Sequence, residues 1–484
     1  MRQPHPAGQS GRSSRSARSS RRSRAAATPI AAVVIGVLAL GGLTACDSTG
    51  AVTSSSSLTA EQAAALVGAD FYDTGLVHSV TIDYDEADYQ AMLAAYTATG
   101  DKGWISATVT IDGTVFEQVG LRLKGNSSLR GIGDTAESDD DTATGTDAPA
   151  DTSDGSVDTD SPESLPWLIR LDKYVDGQSY QDRTEFVVRG NTTESSLNEA
   201  VALELIGLSG LETEKSAAVR LSVNGGDDAL RLVMESIDDD LWNEDTFEND
   251  GITYKAESDG DYSYRGDDPA DYVDVFNQKT GEDDLTPLIA FLDFINNSDD
   301  ATFAAELGNY LDLESFATYL AVEDLTDNFD DIDGPGNNSY LRYDSTTGLM
   351  TVVAWDANLS FGTLNGGGAM GGMGEGGPDG GDRGTLPDGT APTGAAPDGA
   401  AGGQGGGLGG YNILATRFLA DSTFSALVDT ATASLSTSLY ANGDAQAVLD
   451  RWTALLADQA GDLIDSGTLQ SESDAIASYF TGDK

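Results

Sequence analysis

Apolar and polar residues alternate with period two over 78–84, HSVTIDY, which predicts a strand with one buried face. The run DEADYQAMLAAY that follows changes to helical spacing, with Met92, Leu93 and Tyr96 on one side. ISATVTIDGTVFEQVGLRLKGNSS predicts two strands around Asp112-Gly113, a pair that suits a tight hairpin turn. WLIRLDKYVDGQSYQDRTEFVVRGN predicts two more strands, and AAVRLSVN with ALRLVMESID forms a further hairpin across a GGDD turn. Residues 196–210 predict a helix: Ser196 and Glu199 read as a capping box, and Leu197, Val201, Leu205 and Leu208 as its buried stripe. Beyond 240 the pattern is mainly helical, over 287–296, 313–325 and much of 411–480. Asp312 is the expected N-cap of the helix at 313–325, with Leu313, Phe316 and Leu320 inward. Trp452, Leu455, Leu456 and Ile464 are the core candidates near the end of the chain. One late hairpin, SYLRYDSTTGLMTVVAW, interrupts the helices. Strands with few helices, then helices with few strands, predict an α+β fold in two lobes.

Breaks in the pattern divide the chain. An Arg/Ser-rich run to Arg24 precedes the apolar segment 30–45, IAAVVIGVLALGGLTA, which is short for a transmembrane helix and reads as a signal peptide over 1–45. Leu43-Thr44-Ala45-Cys46 resembles a bacterial lipobox, which makes Cys46, the only cysteine, the expected lipidation site and membrane anchor. Residues 46–75 are then expected to tether the folded body, which divides into a strand-rich part over 76–240 and a helical part over 241–484. Residues 131–164, rich in Asp, Thr, Gly and Ser, predict a disordered insertion, and 364–410 a Gly-rich low-complexity linker or lid. No Gly-Lys-Ser/Thr follows those glycines, so they are not read as a nucleotide loop.

The formal net charge of the 484 residues is −54. All seven charged residues before Cys46 are Arg, which leaves 19 Lys and Arg against 80 Asp and Glu in the remainder. A body this acidic argues against a nucleic-acid partner, whose phosphates require cationic contacts. The two histidines are His5 and His78, and with a single cysteine they exclude a His-dependent triad and the usual zinc sites.

The candidate chemistry lies at 326–362, TDNFDDIDGPGNNSYLRYDSTTGLMTVVAWDANLSFG. Asp327, Asp330, Asp331, Asp333, Asn337 and Asn338 share a polar loop, and a hairpin carries the chain on to Asp356 and Asn358. Oxygen ligands so arranged suit a hard cation such as Mg²⁺, which takes one or two carboxylates and completes its shell with phosphates. The same spacing also suits a solvated acidic loop. An EF-hand loop fits poorly, because Phe329 stands where the D-x-[DN]-x-[DN]-G pattern needs Asp. Earlier, Arg122, Lys124, Gly125, Asn126, Ser127 and Ser128 end a strand with cations, free N–H groups and hydroxyls of the kind that cradle phosphate oxygens.

Taken together, Asn328-Phe329-Asp330, Asn338, Tyr340-Leu341, Trp355-Asp356-Ala357-Asn358 and Ser360-Phe361-Gly362 resemble the catalytic segment of the CotH kinase family. That family comprises secreted or spore-coat proteins with an atypical protein-kinase-like fold. The resemblance extends to Gly120-Leu121-Arg122-Leu123-Lys124-Gly125-Asn126-Ser127-Ser128, which matches G-x-R-x-[RK]-G-N-S-S. It continues in Arg170 to Gly177, similar to K-F-D-K-Y-x-x-G, in Glu235, similar to the Glu of V-E-x-x-D, and in Tyr254-Lys255, similar to L-Y-K. Arg170 stands where the family has Lys, and its fork does not replace a compact ammonium, so Arg170 and Lys124 both remain candidates for the phosphate-binding cation.

The resemblance implies a two-lobed fold and Mg²⁺-dependent transfer of the ATP γ-phosphate to Ser or Thr hydroxyls of extracytoplasmic or coat proteins. In that picture Asp330 accepts the hydroxyl proton, while Asn338, Asp356 and Asn358 ligate the metal. Arg122, Lys124, Asn126, Ser127, Ser128, Arg170 and Glu235 surround the nucleotide, with Glu235 on an edge strand beside adenine. Glu199 or Glu204 is a candidate partner for the phosphate-binding cation. Asp331 and Asp333 compete with Asp330 for the role of base. Two other readings stand beside this one: a non-catalytic, acidic, cation-binding surface lipoprotein of adhesion or envelope assembly, and a phosphotransferase acting on a polymer or small molecule.

Overall fold

The computed structural model describes residues 58–125, 129, 132, 159–247, 249–257, 260–281, 283–333, 338–364, 368–369 and 412–481, all within one compact unit. Cys46, the signal segment and Asn126 to Ser128 lie outside the described residues, as do most of 131–164 and of 364–410.

The first half is a closed seven-stranded barrel. After helix α1 (Ala60–Leu66) come β1 (His78–Tyr84), α2 (Glu86–Thr99), β2 (Ile105–Ile111), β3 (Thr114–Leu123), β4 (Trp167–Arg170) and β5 (Glu185–Val188). Helix α3 (Leu197–Leu208) precedes the last two barrel strands, β6 (Ser216–Val223) and β7 (Ala229–Met234). Around the barrel the order is β1-β2-β3-β4-β5-β7-β6, and a parallel pairing of β1 with β6, Val80 opposite Leu221, closes it. The period-two pattern explains both faces. Ile82, Val109, Leu121, Ile169, Val188, Val219 and Val233 fill the interior, whereas Leu168, Val187, Ala218, Leu232 and Met234 point outward into a second core that includes α3. Each of the Val, Leu, Ile and Met side chains contributes about 1.5–3 kcal/mol relative to exposure. His78 is fully buried, with its Nδ1 2.8 Å from Asp112 of the β2–β3 turn.

The second half contains α4 (Asp240–Thr246), β8 (Gly251–Ala256), β9 (Phe276–Thr280), α5 (Thr286–Asn297), α6 (Asp300–Glu306), α7 (Leu313–Thr326), β10 (Ser339–Asp344) and β11 (Met350–Ala354). Helices α8 (Ile413–Ala420), α9 (Ser422–Leu435), α10 (Asp444–Gln459) and α11 (Ser466–Phe480) complete it. The four strands form an antiparallel sheet in the order β11-β10-β8-β9. The fold is therefore α+β. Asp312 caps α7 as expected, accepting from the Ser315 N–H at 3.0 Å, and Phe316 and Leu320 are buried. Trp452, Leu455, Leu456 and Ile464 are buried as well. Among the described residues no helix is long and apolar enough to cross a membrane.

Several local expectations need correction. Ser196 and Glu199 do not form a capping box: Ser196 has φ +54° and makes no side-chain cap bond, and the Leu197 N–H donates to Ser195 Oγ instead. The cause is Glu199, whose carboxylate is drawn to Arg189. Leu208 is 52% exposed, so the buried stripe ends a turn earlier. The expected tether over 46–75 is too long, since 60–66 is helical and Phe71 fills the barrel end, edge-to-face with Phe186. The expected insertion over 131–164 also extends too far. Pro162–Ser164 is a helical turn whose Pro162 carbonyl accepts from the Trp167 indole at 2.9 Å, which anchors it to the barrel.

Candidate active site

Helix α7 and the β10–β11 hairpin build the centre of the site. At its start α7 is tied to β11, because the Asp312 N–H donates to the Met350 carbonyl. At its end Asp327 turns left-handed, φ +50°, and the Phe361 N–H donates to the Thr326 carbonyl at 2.6 Å. The hairpin register pairs Ser339 with Ala354, so Asn338 and Asp356 emerge at the same end of the two strands. Asn338 Nδ2 then donates to Asp330 Oδ2 at 2.9 Å. Burial raises Asp330 above the ordinary carboxylate range and the nearby charge of Asp356 raises it further, while the Asn338 bond partly opposes them. The spacing of Asp330 and Asn338 thus becomes one bonded pair.

Asp331 goes elsewhere. It is 2% exposed, and its charge falls on buried Glu323 and Tyr319 of α7. Burial, with Asp331 adding, pushes Glu323 up to about 8. Asp330 is therefore the residue of this loop paired with Asn338.

Asp356 sits at φ +67°, Phe361 at +57° and Gly362 at +64°. Left-handed backbone at a bulky residue such as Phe361 is strained, and it persists because the surrounding packing holds it. A Cβ at Gly362 would strike the Tyr479 hydroxyl, which explains why glycine ends this motif. Asp356 Oδ1 accepts from Arg189, which follows β5 and also pairs with Glu199 Oε1 at 2.9 Å. Burial alone would lower Arg189, but Asp356 and Glu199 more than reverse this and hold it charged. The Asn358 carbonyl accepts from Thr192 Oγ1 at 3.1 Å and Asn198 Nδ2 at 2.5 Å. The first turn of α3 therefore fixes the position of 356–358.

A cationic cluster adjoins this segment. Lys255 Nζ lies 3.9 Å from the centre of the Trp355 ring, and burial with Lys124 and Lys279 nearby lowers it to about 8. Asp238 faces the same lysines: Lys279 Nζ is 3.6 Å away and the Tyr340 hydroxyl donates to it at 2.8 Å. Burial would raise Asp238, but Lys124, Lys279, Lys255 and that hydroxyl hold it near about 2. Lys102 donates to the Gly125 carbonyl, beside Arg122 and Lys124. In a chain so poor in cations this grouping is the signal that sequence reading missed. Lys255 and Lys279 lie on β8 and β9, far from Lys124 in the chain, and no spacing joins them.

The remaining sequence candidates take other places. Arg122 stacks on Trp104, 4.9 Å from its centre, and Arg170 pairs with Asp172 and Glu185 at 2.8 and 3.3 Å. Glu235 accepts from Arg183, the Lys215 N–H and the Trp242 indole, and β7 before it lies between β5 and β6 rather than at an edge. The expected edge strand beside adenine is thus an inner barrel strand, because β5 also pairs with it. Glu204 binds Arg451 and the Trp452 indole, so neither acidic residue of α3 meets a lysine. Gly120 is a steric requirement: a Cβ there would come within 2.5 Å of the Lys173 side chain, which lies over Trp104.

The donors present suit a hard cation. Asn338 spends its amide N–H on Asp330, and Asp356 one oxygen on Arg189, which leaves Asn338 Oδ1 and Asp356 Oδ2 as oxygen ligands. Among the described residues no group of three acidic, His or Cys side chains could hold a metal by itself. A cation held here would complete its shell from phosphates and water.

An α+β protein with paired carboxylate and amide groups beside a lysine cluster has the parts that phosphate chemistry uses. The family model of the CotH kinase protein matches residues 154–467, so the chain belongs to the CotH family. It is similar to the inner spore coat protein H of Bacillus subtilis (strain 168), 24% identical over 173 residues, which cover 35% of this chain and 47% of that protein. The match thus spans about half of the relative's length.

Proposed function

We propose that this protein is a kinase-like phosphotransferase that moves the ATP γ-phosphate to Ser or Thr hydroxyls of coat or other extracytoplasmic proteins. In this reading the barrel and the helical half serve as the two lobes of an atypical kinase-like fold. The observation that carries it is the Asn338–Asp330 bond at 2.9 Å, with Asp356 at the same hairpin end and Lys255 beside it on Trp355. Asp330 Oδ1, the oxygen not engaged by Asn338, accepts the acceptor hydroxyl's proton; its raised basicity suits that task. Asn338 keeps Asp330 oriented. Asn338 Oδ1 and Asp356 Oδ2, with Asn358 adjacent, hold Mg²⁺, which when bound neutralises charge on the transferring phosphate. Lys124, Lys255 and Lys279 face the nucleotide phosphates, and Arg189 with Glu199 fixes Asp356. Asn126, Ser127 and Ser128, which follow β3 in the sequence, would add donors. Cys46 anchors the mature chain to the outer face of the membrane, a reading supported by LTAC before a cysteine-free body and abandoned if Cys46→Ser leaves lipid labelling unchanged.

The test is calorimetric titration with ATP, with and without Mg²⁺. The wild type should bind ATP only with Mg²⁺, and Asp356→Ala should lose that binding. A wild type that binds Mg²⁺ but no nucleotide would replace this reading with the acidic cation-binding one. Nucleotide binding with transfer only to a polymer or small molecule would change the acceptor class.

A further inference from the structure

Glu323 of α7 and Asp331 of the loop that bears Asp330 are each 2% exposed, and the phosphotransfer chemistry uses neither. Glu323 holds the start of that loop twice. The Asn328 N–H donates to its carbonyl at 3.1 Å, and Asn328 Nδ2 donates to its Oε2 at 2.9 Å. Asn328 is itself buried, and its Oδ1 has no hydrogen-bond donor. Further along the loop the Ile332 N–H donates to the Tyr319 hydroxyl at 3.5 Å, one turn earlier on α7. The groups that face Glu323 are Asp331 and, on its own helix, Tyr319. Among the described residues α3, α9 and β11, which pack against α7, send it no charged group. Ionising both carboxyls would set two like charges in a buried site with no cation facing Glu323, so one proton is retained. A protonated carboxyl can accept the N–H of a primary amide and donate its O–H to the amide oxygen, and Asn328 Oδ1 is the oxygen that lacks a donor.

We propose that Glu323 is a positioning residue for Asp330: it holds the 328–332 loop on α7 while it carries a proton, and releases the loop when it ionises. Only the role of Asp330 rests on the phosphotransfer reading; the hold on the loop does not. Once the proton is lost, Glu323 and Asp331 repel each other and Asn328 Oδ1 has no donor within reach. Burial raises Glu323 to about 8, with Asp331 adding and the Asn328 bond opposing, so release falls just above neutral pH. Asp330 must be ionised to accept a proton. Turnover therefore rises on the acid side through Asp330 and falls on the alkaline side through Glu323.

The test is hydrogen exchange of the 328–332 amides in the full chain without nucleotide, read as protection relative to the unfolded chain at about pH 7 and about pH 9. Wild-type protection should fall by roughly tenfold or more across that range. Glu323→Gln can both accept from and donate to Asn328 but cannot ionise, so its protection should not fall. Asp331→Asn leaves Glu323 no charge to repel and should reduce the fall. Stability gives a second readout. Glu323 is raised on folding, so the stability it gives is complete below its ordinary 4.5 and is lost as pH rises through about 8. The gain in melting temperature of Glu323→Gln should therefore grow up to about pH 8 and then level. In turnover, release of the loop lowers kcat and is absent from Glu323→Gln. Lys255, also near about 8, would instead weaken nucleotide affinity in both proteins. Wild-type protection equal at the two pH values, or a fall that Glu323→Gln shares, would overturn the proposal. A wild type that loses protection as expected yet transfers no phosphate keeps the hold on the loop and overturns the phosphotransfer reading alone.

Discussion

Asp238 and Asp330 are both largely buried carboxylates beside the candidate site, and their surroundings drive them in opposite directions. Asp238 sits among Lys124, Lys255 and Lys279 and stays ionised down to about 2 despite its burial. Asp330 has the charge of Asp356 for a neighbour, and burial with that charge raises it. The first carboxylate holds a cluster of cations together and so serves stability. The second is raised at a cost to stability, which on the phosphotransfer reading suits a group that accepts a proton. On that reading, the first is a structural carboxylate and the second the reactive one.

Three substitutions probe this contrast, from the largest effect to the smallest. On the phosphotransfer reading, Asp330→Asn should reduce transfer by roughly 10²–10⁴-fold with nucleotide affinity nearly kept. It should also raise the melting temperature slightly, because one member of a repelling pair loses its charge. Unchanged turnover with lowered stability would reverse the roles assigned to the two aspartates. Asp238→Asn should do the opposite, costing about 3 kcal/mol in urea unfolding by leaving the lysines without their counter-charge. The pH dependence follows from the directions of the shifts. The stability from Asp238 is present above its ordinary 3.8 and is lost as pH falls towards about 2, so the gap between wild type and Asp238→Asn should close over that window. Asp330, raised on folding, destabilises at neutral pH, and its penalty is relieved as pH falls through its folded value. The gain from Asp330→Asn should therefore vanish on acidification, as unfolding at several pH values will show. Trp355→Leu is the mildest: it removes the ring under Lys255 and should cost about 1 kcal/mol. A loss as large as that of Asp238→Asn would mean that Trp355 supports the sheet rather than the ammonium.

Much of this contrast was visible in the chain before folding, but only on one side. Asp330, Asn338 and Asp356 stand within one segment, and a two-stranded hairpin is enough to return the last to the first. The lysine cluster was not visible. Its members lie just after β3 and on β8 and β9, and no periodicity links a residue near 124 with others near 255 and 279. Glu199 was misread for a similar reason. Its local spacing to Ser196 suits a capping box, yet a buried carboxylate gains more from Arg189, ten residues earlier in the chain, than from a backbone N–H.

The sequence by itself determined the elements whose signals are local. The alternation of 78–84, the turn at Asp112-Gly113, the Asp312 cap and the buried faces of α7 and α10 all follow from side-chain period and turn chemistry, which act over a few residues. Tertiary structure alone decided the closure of the barrel through a parallel β1–β6 pair, the interior position of β7 and the bridge from Glu199 through Arg189 to Asp356. It also decided which of the crowded aspartates meets Asn338 and which turns inward to Glu323. These outcomes depend on strand order and on the electrostatics of buried groups, and both are set by contacts between residues far apart in the chain.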